Sequence, residues 1–179
     1  TFNGTVGGTD KLSSLTTNAD GTTVINTSSI STTGNQNYND AVLIDTSTTL
    51  NGKNISFAST GDSTSGETNA LTINTSGSGT TTFNGLVGNT SRLSTLTTDA
   101  GGTTVVNTSS IKTASDQTFN DAVKLDTNTT LDSSTSTASR SIRPCGITTS
   151  MISRVMRGNT MTISVAMTAH PSCAVASHG

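Results

Sequence analysis

Thr1-Phe2-Asn3-Gly4, Leu12-Ser13-Ser14-Leu15-Thr16-Thr17 and Asn39-Asp40-Ala41-Val42 return in the same order as Thr82-Phe83-Asn84-Gly85, Leu93-Ser94-Thr95-Leu96-Thr97-Thr98 and Asn120-Asp121-Ala122-Val123. Residues 1–50 align without a gap on residues 82–131, an offset of 81, with 33 identities in 50 positions. Chance does not produce such agreement. The exchanges Lys11/Arg92, Ile25/Val106, Tyr38/Phe119 and Ile44/Leu125 keep size and polarity. Self-similarity at a fixed period marks a repeat architecture, in which each unit buries its apolar face against the next.

Inside each repeat runs a shorter beat. Thr22-Thr23-Val24-Ile25-Asn26, Ala41-Val42-Leu43-Ile44, Asn54-Ile55-Ser56-Phe57 and Ala70-Leu71-Thr72-Ile73-Asn74 are short alternating runs bounded by Gly, Asn, Asp or Ser. That is a strand-and-turn rhythm. No apolar stripe at helical spacing is sustained over three turns. The reading is an all-β chain, a parallel β-solenoid of ~20 residues per coil, with roughly four coils in each 81-residue super-repeat. Positions 81 apart are then equivalent and about 19 Å apart along the axis, four strand spacings. Phe2 and Phe83, Leu15 and Leu96, and Val24 and Val105 are expected to point inward. Thr and Ser are expected on the outside, with Asn26/Asn107 and Asn39/Asn120 stacking amide on amide at corners.

Composition agrees with a solenoid better than with an ordinary globule. There are 40 Thr and 27 Ser, with only 11% charged and 3% aromatic residues and a net charge of −2. Disordered chains of low hydrophobicity usually carry high net charge and few β-branched residues; this one is rich in Thr, Val and Ile, which are stiff at χ1 and suit a pleated surface. An O-glycosylated stalk would be rich in proline, and no proline precedes Pro144. Nucleic-acid binding is not expected, because basic clusters with interleaved aromatics are missing. No apolar run approaches the ~18–20 residues of a membrane span. The chain opens in mid-repeat without an initiator Met or a signal segment, so a piece of a longer protein is expected.

Thr-Phe-Asn-Gly-x-Val-Gly, then Leu-x-x-Leu-Thr-Thr-x-Ala-x-Gly-Thr-Thr-Val in its composite form, then Gln-x-(Tyr/Phe)-Asn-Asp-Ala-Val, resemble repeats of large haemagglutinin-like exoproteins and autotransporter passenger domains of Gram-negative bacteria. The resemblance covers residues 1–131. It implies a right-handed parallel β-helix, export to the cell surface, and a role as an adhesin-like stalk. The expected partners are surface glycans or other cell-surface molecules, with end-to-end self-association of the rods and no cofactor.

After residues 1–132 the text changes. Asp132 is the last acidic residue, and residues 133–179 hold all four Met, both Cys, both Pro, both His and four of the five Arg. Two readings stand: a foreign or out-of-frame extension, or a C-terminal cap. In the second, Ile142, Ile147, Ile152 and Val155, or the alternating Met161-Thr162-Ile163-Ser164-Val165, close the open end of the solenoid.

Candidate chemistry is sparse. Cys145, His170, Cys173 and His178 supply the ligand types of a Cys₂His₂ zinc site but not its paired spacing; Cys145 and Cys173 are equally a disulfide pair or two free thiols. A hydrolase using serine would depend on His170 or His178, and no Gly-x-Ser-x-Gly elbow occurs. Paired carboxylates do glycosidic acid–base work, and Asp40 with Asp45, Asp121 with Asp126, and Asp62 with Glu67 are the pairs. The first two recur with the period, as turn or ladder elements do. Asp62 and Glu67 lie in an unrepeated stretch and, with His170, are the catalytic candidates of an alternative reading as a glycan or ester hydrolase. Calcium at Asp62 and Glu67 lacks the Gly-rich nonapeptide of calcium β-rolls. A second alternative is a Thr-ladder face that binds ordered water or ice. Thr46-Ser47-Thr48, Thr80-Thr81-Thr82 and Thr127-Asn128-Thr129 have the form that sends two hydroxyls to one side of a strand.

Overall fold

Each short alternating run becomes a strand whose neighbour lies one coil later in the chain. The computed structural model describes residues 1–134, 152–157 and 160–165. Among these the chain is all-β, a parallel β-solenoid of about six turns. Three faces wrap one core. The first holds Thr22–Ile25, Ala41–Ile44 and Gly61–Ser63, flanked by bridges from Phe2 and Val87 and continued by Ser110–Thr113 and Thr129–Ser133. The second stacks Ser29–Ser31, Thr48–Gly52, Leu71–Thr75, Leu96–Thr98 and Gln117–Phe119. The third stacks Leu15–Thr16, Gln36–Tyr38, Ile55–Phe57, Thr80–Phe83, Thr103–Val106 and Ala122–Leu125. Coil length varies: the coil that carries Ile25 onto Ile44 is shorter than the one that carries Ile55 onto Thr81.

The register corrects the expected equivalence of positions 81 apart. Phe2 bridges Ile25 on the first face, whereas Phe83 lies between Phe57 and Val106 on the third. Ile30 is on the second face and its counterpart Ile111 on the first; Tyr38 is on the third and Phe119 on the second. One repeat is therefore eleven strand steps, or three and two-thirds coils, and the second copy is turned by one face. Its advance along the axis is ~18 Å at one strand spacing per coil.

Apolar side chains form ladders inside. Ile30, Leu50 and Ile73 stack on the second face, all fully buried. On the third, Tyr38, Phe57 and Phe83 lie as a pile of rings, with centroids 5.2 and 5.4 Å apart and planes within 14° and 12°. Parallel stacking at strand spacing holds them face to face, in place of the edge-on contacts common in globular cores. Phe83 and Leu96 point inward as expected, and Phe2 and Leu15 pack partly buried against the core. Val24 and Val105 do not: alternation places Thr23 and Ile25, and Thr104 and Val106, inside instead.

The expectation that Thr lies outside is also overturned in part. Thr48, Thr81, Thr98, Thr104, Thr113 and Thr129 are buried. All of these but Thr81 use the hydroxyl in a hydrogen bond, and at corners it meets carbonyls that the ladder leaves unpaired: Thr48 Oγ1 donates to Thr27 O at 2.6 Å, and Thr129 Oγ1 to Thr108 O at 2.8 Å. Asparagines do ladder, but between adjacent coils. Asn26 donates to Asn3, Asn107 to Asn84, Asn54 to Asn35 and Asn74 to Asn51. Asn39 and Asn120 donate to the carbonyls of Thr17 and Thr98.

Gly7 and Gly88 open matched excursions of the chain. Both have positive φ, and a Cβ at Gly88 would lie 1.9 Å from Lys112 O. Thr160–Val165 pairs antiparallel with Thr129–Ser133 and with Ile152–Arg157. These two strands join the last coil without continuing its parallel register. Ile142 and Ile147 lie outside the described residues.

One exchange between the copies leaves a defect. Tyr38 Oη donates to Gln36 Oε1 at 2.9 Å, but Phe119 has no hydroxyl for Gln117, whose Oε1 is buried without a partner. Burial also raises the Tyr38 pKa well above the ordinary phenol range, so it remains a donor. Phe119→Tyr is expected to stabilise the fold by about 1 kcal/mol and Tyr38→Phe to cost about 1–3 kcal/mol. Thr81→Val, which removes a fully buried and unpaired hydroxyl, should also raise stability. Denaturant midpoints at constant m check all three.

Candidate functional site

The repeated aspartates sit at corners. Asp40 follows Tyr38 on the third face and precedes Ala41 on the first. Its carboxylate accepts from Thr17 Oγ1 at 2.6 Å and from Thr23 Oγ1 at 2.8 and 3.0 Å. Asp121 does the same with Thr98 Oγ1 at 3.0 Å and Thr104 Oγ1 at 2.8 and 3.0 Å, but at the corner between the second and third faces. One carboxylate thus binds two threonines from the preceding coil. Gln36 and Gln117 fasten other corners: each Nε2 donates to two carbonyls and one Thr hydroxyl. Asp126 pairs with Lys124 at 2.9 Å. Asp40 and Asp121 are built into the coil through these bonds, whereas Asp126 stands in an exposed ion pair.

Asp62 and Glu67 are not brought into a common site. Asp62 is buried in Gly61–Ser63 beneath the excursion that starts at Gly88. Its Oδ1 accepts from Thr90 N at 3.2 Å, while Gly88 N and Ser63 N tie the two segments at Gly61 O and Ser91 O. Glu67 is exposed in a turn closed by its own N–H on Thr64 O, and its Oε2 accepts from Asn69 Nδ2 at 2.9 Å. Asp62 has the environment of a loop clamp. His170, with Cys145, Cys173 and His178, lies outside the described residues. Among the described residues no group of three or more His, Cys, Asp or Glu is placed to hold a metal ion.

Two of the three Thr-x-Thr motifs do not show both hydroxyls to solvent. Thr48 and Thr129 turn inward, and Thr46 donates to Asn26. Thr80 and Thr82 do face outward, but along the third face the Thr82 column continues through Ser56 and Val105. The regular ladder lies elsewhere, on the second face. Ser29, Thr49, Thr72, Thr97 and Thr118 stack in unbroken register over five coils, all facing outward. The signal in the sequence is a Thr between two inward residues, as in Leu71-Thr72-Ile73 and Gln117-Thr118-Phe119. Only the coil phase shows that these threonines stack.

No family model, curated protein or solved structure matches the chain.

The corner fasteners make two testable statements. Asp40→Ala, which strips two buried or part-buried hydroxyls of their acceptor, is expected to cost ~1.5–3 kcal/mol, read as a lower denaturation midpoint. The pKa of Asp121 is raised, mainly by burial, against the lowering effect of its Thr104 and Thr98 donors and with a further push from Asp99. A raised carboxyl binds a proton in the fold before it does in the unfolded chain. Its contribution is therefore full below the ordinary carboxylate range and lost as pH rises through the folded value. Asp121→Asn should flatten that part of the stability–pH curve, followed by thermal melts across the acid range; an unchanged slope would refute the assignment.

Proposed function

We propose that this chain is a spacer, a segment of a self-propagating β-solenoid rod in an exported, adhesin-like exoprotein, with no catalysis of its own. One observation carries the reading: the second copy of the repeat is turned by one face, yet the same corner fasteners form again. Asp40 with Thr17 and Thr23, and Asp121 with Thr98 and Thr104, occupy different corners of the rod with the same bonds. A catalytic constellation needs one fixed surface, whereas a repeat that works from any face is suited to extending a rod. Solenoid stability grows by adding like units to like neighbours. No helix among the described residues is long and apolar enough to cross a membrane.

Export, surface location and a partner of glycan type rest on the resemblance of the repeat motifs to exoprotein repeats. The hydrolase alternative draws no support from the geometry of Asp62, whose carboxylate clamps a loop.

Insertion of one further copy of residues 1–81 between Thr81 and Thr82 keeps the junction Thr81-Thr82 at its far end and joins Thr81 to Thr1 at the other. It should lengthen the particle by ~18 Å at constant cross-section, as measured by small-angle X-ray scattering, without lowering the melting temperature. A particle that swells or aggregates instead would sink the spacer reading. So would turnover of a glycan or ester by the purified chain that disappears on Asp62→Ala or Glu67→Ala.

A further inference from the structure

We propose that the second face is an ice-binding surface, on which the hydroxyl ladder of Thr49, Thr72, Thr97 and Thr118 orders a layer of water into a lattice. The inference stands apart from the spacer reading and rests on four observations. First, no hydrogen bond within the described residues holds these four hydroxyls, whereas the inward threonines of the same strands and corners are bonded, as Thr48, Thr75 and Thr98 are. Second, the ladder belongs to one face. On the third, the aligned outward column is Thr16, Asn37, Ser56, Thr82, Val105 and Lys124, and on the first it begins Val24, Leu43, Asp62. A Ser/Thr-rich composition alone would not favour one face.

Third, the two copies of the repeat differ where the difference extends the ladder. Asn37 stands on the third face; its counterpart in the second copy falls on the second face and is Thr118. Fourth, the chemistry beside the ladder is uncharged over its first three coils. The next outward column runs Ser31, Asn51 and Asn74, linked amide to hydroxyl and amide to amide; Asp99, beyond it, is occupied by Thr75.

The physical consequence follows from stiffness and spacing. Threonine is held at χ1 by its branched Cβ, and successive rungs are fixed at ~4.8 Å by the backbone ladder. Hydroxyls and methyls then recur along one rigid column at the strand spacing. Bridging water costs little entropy to hold at such groups, and an occupant that is itself neutral, hydroxylic and periodic matches the column. Ice has those properties. A polysaccharide chain also offers hydroxyls, but the rings that would stack on its sugar faces, Tyr38, Phe57, Phe83 and Phe119, are inside the core.

The test uses the full chain, labelled with a fluorophore at its N-terminal amine, in slowly grown ice and in a recrystallisation assay. The wild type is expected to be enriched in the ice and to arrest crystal coarsening. Thr72→Lys and Thr97→Lys, singly, should lose both, while Thr82→Lys on the third face keeps both. Thr72→Tyr, which keeps a strand-forming residue but breaks the column of hydroxyls, should behave like Thr72→Lys. Circular dichroism of each variant is compared with that of the wild type. Exclusion of the wild type from ice would overturn the proposal, as would retained activity in a folded Thr72 or Thr97 variant. Retention by insoluble cellulose or chitin without enrichment in ice would overturn it as well.

Discussion

Parallel backbone pairing between one coil and the next is the constraint on which the rest of this structure depends. Each strand must satisfy its N–H and C=O groups on the coils above and below, and that pairing fixes the axial spacing at one strand width. Side chains at paired positions then have no freedom to avoid each other. Tyr38, Phe57 and Phe83 are stacked because their backbones are paired, and Asn74 reaches Asn51 for the same reason. The repeat is the evolutionary form of that constraint. A residue that stacks well on its own kind is useful at every turn.

The corners are where the constraint fails, and they explain the composition. A turn between faces leaves backbone groups that the ladder does not reach, and an unpaired buried polar group costs about 1–3 kcal/mol. Side chains that are short, branched and hydroxylated can turn a methyl to the core and a hydroxyl to a carbonyl. Thr48 and Thr129 do so, and Asp40, Asp121, Gln36 and Gln117 gather several such bonds at one point. The interior is therefore partly polar and still almost fully bonded, with Thr64, Thr81, Ser110 and Gln117 as the described residues whose side chains retain an unpaired buried atom. A chain with 30% hydrophobic residues folds here because each apolar ladder is buried by its neighbours and each corner is fastened.

Much of this was legible in the sequence. The repeat offset, the all-β character and the coil length follow from recurring residues and short alternating runs. The phase was not, because it depends on how many strand steps the unrepeated residues 51–81 contain, and coils vary in length: the one from Ile55 to Thr81 is longer than that from Ile25 to Ile44. Inside and outside were harder still. Thr23-Val24-Ile25 alternates cleanly, but hydropathy favours Val24 over Thr23 for the core, and the corner carboxylate of Asp40 reverses the preference. Asp62 looked free because it breaks the period; the excursion after Gly88, folded over it from the next coil, was invisible to local reading.

The phase also decides where function can be written on such a rod. Were the repeat a whole number of coils, each copy would present the same side chains on the same face, and any surface ladder would come from duplication alone. With three and two-thirds coils, a position moves to a new face in every copy. Thr97 stands on the second face while its counterpart Thr16 stands on the third, and Thr130 stands on the first while its counterpart Thr49 is a rung on the second. A continuous column on one face must then be assembled from positions that are unrelated in the repeat. The ladder of Thr49, Thr72, Thr97 and Thr118 is such an assembly, with one rung drawn from the unrepeated stretch and one from an exchange of Asn for Thr. Duplication supplies the rod and its fasteners; the surface that differs from face to face has to arise against the repeat.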